Sequence, residues 1–180
     1  MLEDDCWVDG EGPIPCKCMI IGEAPGPEEC KVGRPFIGQA GQFLRKALRG
    51  CDCDADPTEY RITNIVKSFP GRNSRGKIRR PSAKQISLEL PYLQDEIRKV
   101  QPKFILALGN TSIKTLTGYA TVASARRNGW LPLTLVGLDD KTQVLPTYHP
   151  SYILQGFGRS YEAVWLSDIK VFVTACCLKN

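Results

Sequence analysis

Met19-Ile20-Ile21 is a short apolar run that is cut off by Gly22-Glu23-Ala24-Pro25-Gly26. The run reads as a buried strand. Two glycines, a proline and an alanine within five residues cannot continue it, but they can form a tight loop whose backbone lies close to a ligand. Glu23 places one carboxylate inside that loop. A second turn follows at Gly33-Arg34-Pro35, and Phe36 sits just beyond it, ahead of a glycine-studded helix start. A small-residue loop, an acid and a ring at the mouth of a strand suit a pocket for a flat ligand. The plainer reading is a strand-to-helix connection.

The rest of the chain repeats this strand-then-helix rhythm. Helical spacing of Ala40, Phe43, Leu44, Ala47 and Leu48 predicts a helix over 38–50 that stops at Gly50. Tyr60–Val66 is β-rich. Pro81-Ser82 opens a helix that runs to about Val100, with Pro91 as a kink site and Pro102 as its end. Phe104–Leu108, FILAL, is a continuous apolar run of the kind found in central parallel strands. A short helix follows to Gly118. Leu131–Val136 and Gln143–Pro146 are two more strand candidates, and Ser160–Leu178 is a closing helix. This alternation predicts a three-layer α/β/α sandwich with a mainly parallel central sheet, in one domain over 1–180. The loops after Ile21, Ile65 and Pro146 follow the carboxyl ends of strands, where such sheets bind ligands. Residues 1–16 are expected to be a loosely attached arm. The chain has no apolar leader at its start and no long apolar run, so a soluble, cytoplasmic, nucleoid-associated monomer is expected.

Charge narrows the partner. The net charge is +5, and no Asp or Glu occurs from Arg61 to Leu88. Arg61, Lys67, Arg72, Arg75, Lys77, Arg79, Arg80 and Lys84 all fall in that stretch, with Pro70, Gly71, Asn73, Gly76 and Pro81 among them. A mobile basic loop of this kind suits phosphate contacts. There are eight cysteines. For an intracellular chain the default is unlinked thiols, and a structural metal held by some of Cys6, Cys16, Cys18, Cys51 and Cys53 is the alternative.

Two polar residues stand out. His149 is the only histidine. It lies just past a strand, is followed by Pro150, and precedes the aliphatic pair Ile153-Leu154. An imidazole held this way can donate to a carbonyl oxygen that gains charge, and a neighbouring aliphatic side chain can wedge into a duplex. Asn64 sits inside an apolar strand. Its amide offers a donor and an acceptor side by side, as a pyrimidine edge requires, though a buried Asn bonded to backbone is the ordinary alternative.

GEAPGPEE (22–29), GRPFIGQAG (33–41), TNIVK (63–67), LALGNTS (106–112) and PTYHPSYIL (146–154) together resemble the family-four, thermostable-type uracil-DNA glycosylases, in the same order and at similar intervals. The resemblance implies that the chain extrudes a modified pyrimidine, uracil first among them, from DNA and hydrolyses its N-glycosidic bond. It implies that Gly22, Ala24, Pro25 and Gly26 line the pocket, that Phe36 stacks on the base, and that Asn64 reads its edge. His149 then stabilises charge on O2, and Glu23 holds water or the sugar cation. On the DNA side it implies Ser151, Ile153 and Leu154, and the charge pattern adds the basic residues Lys67, Arg72, Arg75, Lys77, Arg79 and Arg80 as expected DNA contacts. An aliphatic side chain of the Ile153-Leu154 pair fills the hole left in the stack.

Departures from the family pattern are specific. The family's four cluster cysteines would fall on the segment before the first strand, on Ser68 and near Glu89. Thiolate ligation of a [4Fe–4S] cluster needs all four, so no metal and no cofactor is expected. The segment 75–80 is longer than in relatives. Cys30 and Gln155 replace the usual Asp and Arg. Asn128 stands where one cross-linking subgroup carries a His, so ordinary turnover without a protein–DNA adduct is expected. Because these changes lie on the pocket rim and DNA face, a bulkier modified pyrimidine in viral DNA is the second reading. A catalytically inactive DNA-binding module is the third.

Overall fold

The computed structural model describes residues 6–51, 60–138 and 141–177. Five strands form one sheet in the order β2-β1-β3-β5-β4. They are β1 (Cys18–Gly22), β2 (Tyr60–Asn64), β3 (Phe104–Leu108), β4 (Leu131–Pro132) and β5 (Gln143–Thr147). The first four in spatial order run parallel, with Ile20 opposite Ile62 on one side and Leu106 on the other. β4 pairs antiparallel with β5 at the far edge.

Among the described residues the α-helices are α1 (Pro27–Val32), α2 (Gln39–Arg49), α3 (Ala83–Val100), α4 (Gly109–Thr117), α5 (Val122–Arg126), α6 (Pro150–Leu154) and α7 (Glu162–Cys177). Alternating residues of each strand feed opposite faces, as a pleated backbone dictates. Met19, Ile21, Ile105 and Ala107 pack with Leu93 and Ile97 of α3 and Ile113 of α4. Cys18, Ile20, Leu106 and Leu108 pack with Leu44 of α2 and Trp165, Ile169 and Phe172 of α7. The sheet is thus covered on both sides, which is the expected three-layer sandwich. From β1 the chain passes to β2 on one side and later to β3 on the other. The carboxyl end of β1 is therefore a topological switch point, where open α/β sheets bind ligands.

Three expectations are corrected. The N-terminal segment is not a loose arm over its described residues. Glu11 and Ile62 exchange backbone hydrogen bonds of 2.9 and 2.8 Å, Val8 N donates to Lys67 O at 2.9 Å, and Val8 is buried. This segment covers the exposed edge of β2, a role that needs backbone groups rather than an apolar pattern. The cysteines are not all unlinked: Cys6 joins Cys30, and Cys18 joins Cys176. The strand expected over 131–136 shrinks to two residues, because Pro132 offers no N–H and Thr134 N turns away to Leu116 O. The expected closing helix is α7, whose end at Leu178 lies outside the described residues, as do Cys53 and most of the acidic connector 51–58. No helix among the described residues is long and apolar enough to cross a membrane.

A buried ionic knot ties β2 to α3. Glu96 accepts from Arg61 Nε at 2.5 Å, from Lys67 Nζ at 2.5 Å and from Thr63 Oγ1 at 3.0 Å. Burial alone would raise the Glu96 carboxyl, but the paired cations outweigh it and its pKa lies below the usual carboxylate value. A carboxylate depressed in the folded state stabilises above its unfolded pKa, and that stability is lost as pH falls through the folded value. Glu96→Ala leaves the Lys67 ammonium buried without its carboxylate, so unfolding free energy should drop by about 3–5 kcal/mol. Urea denaturation at neutral pH checks this. The difference between wild type and variant should shrink steadily as the measurement is repeated below pH ~4.5.

Candidate active site

A cavity of about 860 Å³ opens above the carboxyl ends of β1, β2, β3 and β5. Each strand delivers a short loop to it. β1 contributes Glu23 to Gly26, β2 contributes Asn64, β3 contributes Gly109 and Asn110, and β5 contributes Tyr148 and His149. The β1 loop is pinned to β2 by Ile65 N to Gly22 O at 2.9 Å and Val66 N to Glu23 O at 3.2 Å.

Gly22 is the tightest point of this site. A Cβ there would lie 2.4 Å from the Phe36 ring and 2.6 Å from Asn64 Oδ1. The missing side chain lets a ring and an amide meet over the end of β1. Phe36 itself has φ of 56°, a left-handed conformation uncommon outside glycine. Such a conformation persists when its surroundings over-determine it, and here Glu29 supplies the restraint. The buried Glu29 carboxylate accepts from Ile37 N at 3.0 Å, Gly38 N at 2.8 Å and Gly26 N at 3.1 Å. One side chain thus joins the β1 loop to the Phe36 turn.

The polar groups facing the cavity are set for a ligand. Asn64 is 3% exposed, and its Oδ1 is buried with no hydrogen-bond partner. Such an orphan acceptor costs stability unless something supplies a donor. The Phe36 and His149 rings are 6.3 Å apart between centroids. Burial pushes the His149 pKa down to about 4, so the imidazole is neutral near pH 7. Its Nδ1 faces the Ser151 amide at 3.2 Å and the Ser151 hydroxyl at 2.7 Å. With Nδ1 accepting, the ring proton resides on Nε2. Gly109, at φ of 81°, gives this His room: a Cβ there would lie 3.0 Å from His149 Cβ. Glu23 Oε2 accepts from Thr111 Oγ1 at 2.5 Å, which holds the carboxylate at the pocket wall.

The structure brings Glu23, Ala24, Pro25, Gly26, Phe36, Asn64, His149 and Ser151 to one cavity, with Gly22 directly beneath it. Arg79 and Arg80 line its rim. The basic stretch is a closed turn rather than a mobile loop. Arg72 and Ile78 form an antiparallel bridge, Arg79 N donates to Gly71 O at 2.9 Å, and Asn73 Oδ1 accepts from the amides of Arg75 and Lys77. Arg72, Arg75, Lys77, Arg79 and Arg80 are all exposed on it. Two expected DNA contacts point inward instead. Lys67 is 2% exposed, with its ammonium committed to Glu96 and Asn64 O. Ile153 is buried in the core beneath α6, which leaves Leu154 as the exposed member of that pair. Sequence reading missed Glu29, Thr111 and the tyrosines at 148, 152 and 161. The Thr111 partner Glu23 is 88 residues away in the chain, so no local pattern marks that pair.

Among the described residues, the donors required for a four-thiolate cluster are not assembled. Ser68 Oγ hydrogen-bonds Glu89, which also accepts from Lys67 N at 2.5 Å and Ser68 N at 3.0 Å. Cys6 and Cys18 are each joined to another cysteine. A hydroxyl bonded to a carboxylate does not fit a cluster held by thiolates. Among the described residues no group of three or more His, Cys, Asp or Glu is placed to hold a metal ion.

Two measurements check this geometry. The single His resonance should stay that of a neutral ring until pH falls to about 4, in an NMR titration. Glu29→Ala should speed amide hydrogen exchange at Gly26, Ile37 and Gly38 by at least tenfold, the effect of losing about 1.4 kcal/mol of local protection.

The sequence profile of the Uracil DNA glycosylase superfamily matches residues 10–170. A type-4 uracil-DNA glycosylase of Thermotoga maritima is 32% identical over 163 residues, covering 91% of this chain and 79% of that protein. One of Pyrobaculum aerophilum is 41% identical over 109 residues, 61% of this chain and 52% of that protein. One of Sulfurisphaera tokodaii is 33% identical over 155 residues, covering 82% and 65%. The aligned region therefore spans between about half and four-fifths of those relatives' lengths. With its parallel sheet, its cavity at the switch point and this match over most of its length, the chain belongs to the uracil-DNA glycosylase superfamily.

Proposed function

We propose that the protein is a monofunctional DNA glycosylase that takes an extruded uracil into this cavity and hydrolyses its C1′–N1 bond. The orphan Asn64 Oδ1 carries the reading: a buried acceptor aimed beside the Phe36 ring calls for a flat partner with a donor on its edge. Uracil N3–H is such a donor, and Phe36 covers the ring face. The neutral His149 Nε2–H donates to O2. As the bond breaks, its electron pair leaves with the base, and the sugar becomes cation-like. A donor set in place before charge develops lowers that barrier without reorganisation. Water adds its hydroxide to C1′, its proton neutralises the departing base, and an abasic site remains. Glu23, held by Thr111, is placed to orient that water or to offset the sugar's positive charge. The exposed arginines of the 71–80 turn take the phosphates, and one chain supplies every group, so the protein acts as a monomer. We also propose that it works without the family's iron–sulfur cluster, since Ser68 and Glu89 occupy each other.

A second reading has its own support. The cavity is larger than one pyrimidine needs, so a bulkier modified cytosine with its Asn64 amide turned over is the alternative substrate. Base release should be measured on oligonucleotides bearing uracil, hypoxanthine, thymine, and hydroxymethylated or glucosylated cytosine. Uracil release with an abasic product is expected, and His149→Ala and Asn64→Ala should each lower kcat by about 100- to 1,000-fold. Release of the modified cytosines alone would favour the second reading. Binding with no release from any substrate would make the chain an inactive binding module. Replacing Arg75, Lys77, Arg79 and Arg80 together by Gln should weaken DNA binding and flatten its dependence on salt. An unchanged slope would place the phosphates elsewhere.

A further inference from the structure

Beside the pocket mouth lies a cluster of rings that the extruded base does not use. Tyr148 and Tyr152 are stacked at 5.6 Å and 20° between planes, Tyr161 lies 4.8 Å from Tyr148, and it lies 6.0 Å from Tyr152. All three line the cavity wall, yet Tyr152 and Tyr161 are each more than one-third exposed. The chain between them makes a tight turn in which Gly158 N donates to Gln155 O at 2.8 Å, and Gln155 also lines the cavity. Phe157 stands at the tip of this turn, 92% exposed. The turn is seated hard on α6: a Cβ at Gly158 would lie 1.7 Å from Tyr152 O. The ring of Phe157 is thus presented to solvent from a braced backbone. Arg159 is exposed on the same turn and supplies the cation, while the Arg126 guanidinium, 5.9 Å over the Tyr148 ring, is paired with Asp168.

Exposed aromatic rings next to cationic side chains are how proteins hold single-stranded nucleic acid, the rings taking bases and the cations taking backbone. We propose that Tyr152, Tyr161 and Phe157 form a second base-binding subsite, which stacks the unpaired base adjacent to the extruded nucleotide in the same strand. The occupant is set by continuity, because Tyr152 and Tyr161 line the same cavity as Phe36 and Asn64. This subsite makes single-stranded DNA, or a strand opened next to the lesion, the favoured substrate. It rests on the glycosylase reading, and the test separates the two.

Single-stranded uracil oligonucleotides are prepared with the neighbouring nucleotide on one side, then the other, replaced by an abasic tetrahydrofuran spacer. For wild type, kcat/KM should fall about tenfold with the spacer on one side only, the loss of one base–aromatic stack. Phe157→Ala and Tyr161→Ala should each lower kcat/KM on the intact oligonucleotide and lose sensitivity to that spacer. Tyr152→Phe, which keeps the ring, should retain the sensitivity to that spacer. Phe157 packs against little, so Phe157→Ala should keep the wild-type melting temperature and remain informative even if Tyr161→Ala does not fold. Equal indifference of wild type to both spacers, or full spacer sensitivity in Phe157→Ala, overturns the subsite. Loss confined to duplex substrates also overturns it, making Phe157 a wedge. If wild type releases no base from any oligonucleotide, the glycosylase reading itself fails.

Discussion

A single missing methyl group governs the site. Gly22 ends β1 where Phe36 descends from one side and Asn64 rises from the other, and both approach closer than any Cβ would allow. With that space open, a ring face and an amide edge meet at one point above the sheet. Neither group could be delivered by local sequence alone, since Asn64 lies on the neighbouring strand and Phe36 comes back after α1. The parallel pairing of β1 with β2 sets the height of Asn64, because Gly22 is in register with it.

Two buried carboxylates hold this arrangement from behind. Glu29 spends its oxygens on three backbone amides, which ties the loop after β1 to the turn that carries Phe36. Glu96 gathers Arg61, Thr63 and Lys67, and Lys67 in turn holds the carbonyl of Asn64. A charge removed from water is tolerated only when its partners satisfy it, so each of these acids constrains several groups at once. The pocket is therefore preorganised by ionic and backbone bonds beneath it, while Asn64 Oδ1 on its wall stays unpaired and ready for a ligand.

The segment around Ser68 and Glu89 is tied down as well. Ser68 and Glu89 bond each other, Glu89 accepts from the Lys67 amide, and Cys6 is cross-linked to Cys30 within the pocket helix α1. Hydrogen bonds and a disulfide thus join the N-terminal segment, β2, α1 and α3.

The order of short apolar runs and helical spacings was enough to name the layers of the sandwich, because strand and helix periods are local properties. It also marked Gly22–Gly26, Phe36, Asn64 and His149, since a loop that breaks a strand, an Asn among aliphatics and a lone His stand out in one dimension. The burial of Lys67 and Ile153, the pairing of the N-terminal segment with β2 and the disulfides were not legible. Each depends on which distant residue arrives alongside, and a side chain such as Lys67 reads as a phosphate contact until a carboxylate 29 residues away is seen to claim it. Residue types and their spacing determined the fold class and the candidate groups. Packing decided which of those groups face the cavity, because only the folded chain sets the distances over which charge, hydrogen bonds and excluded volume act.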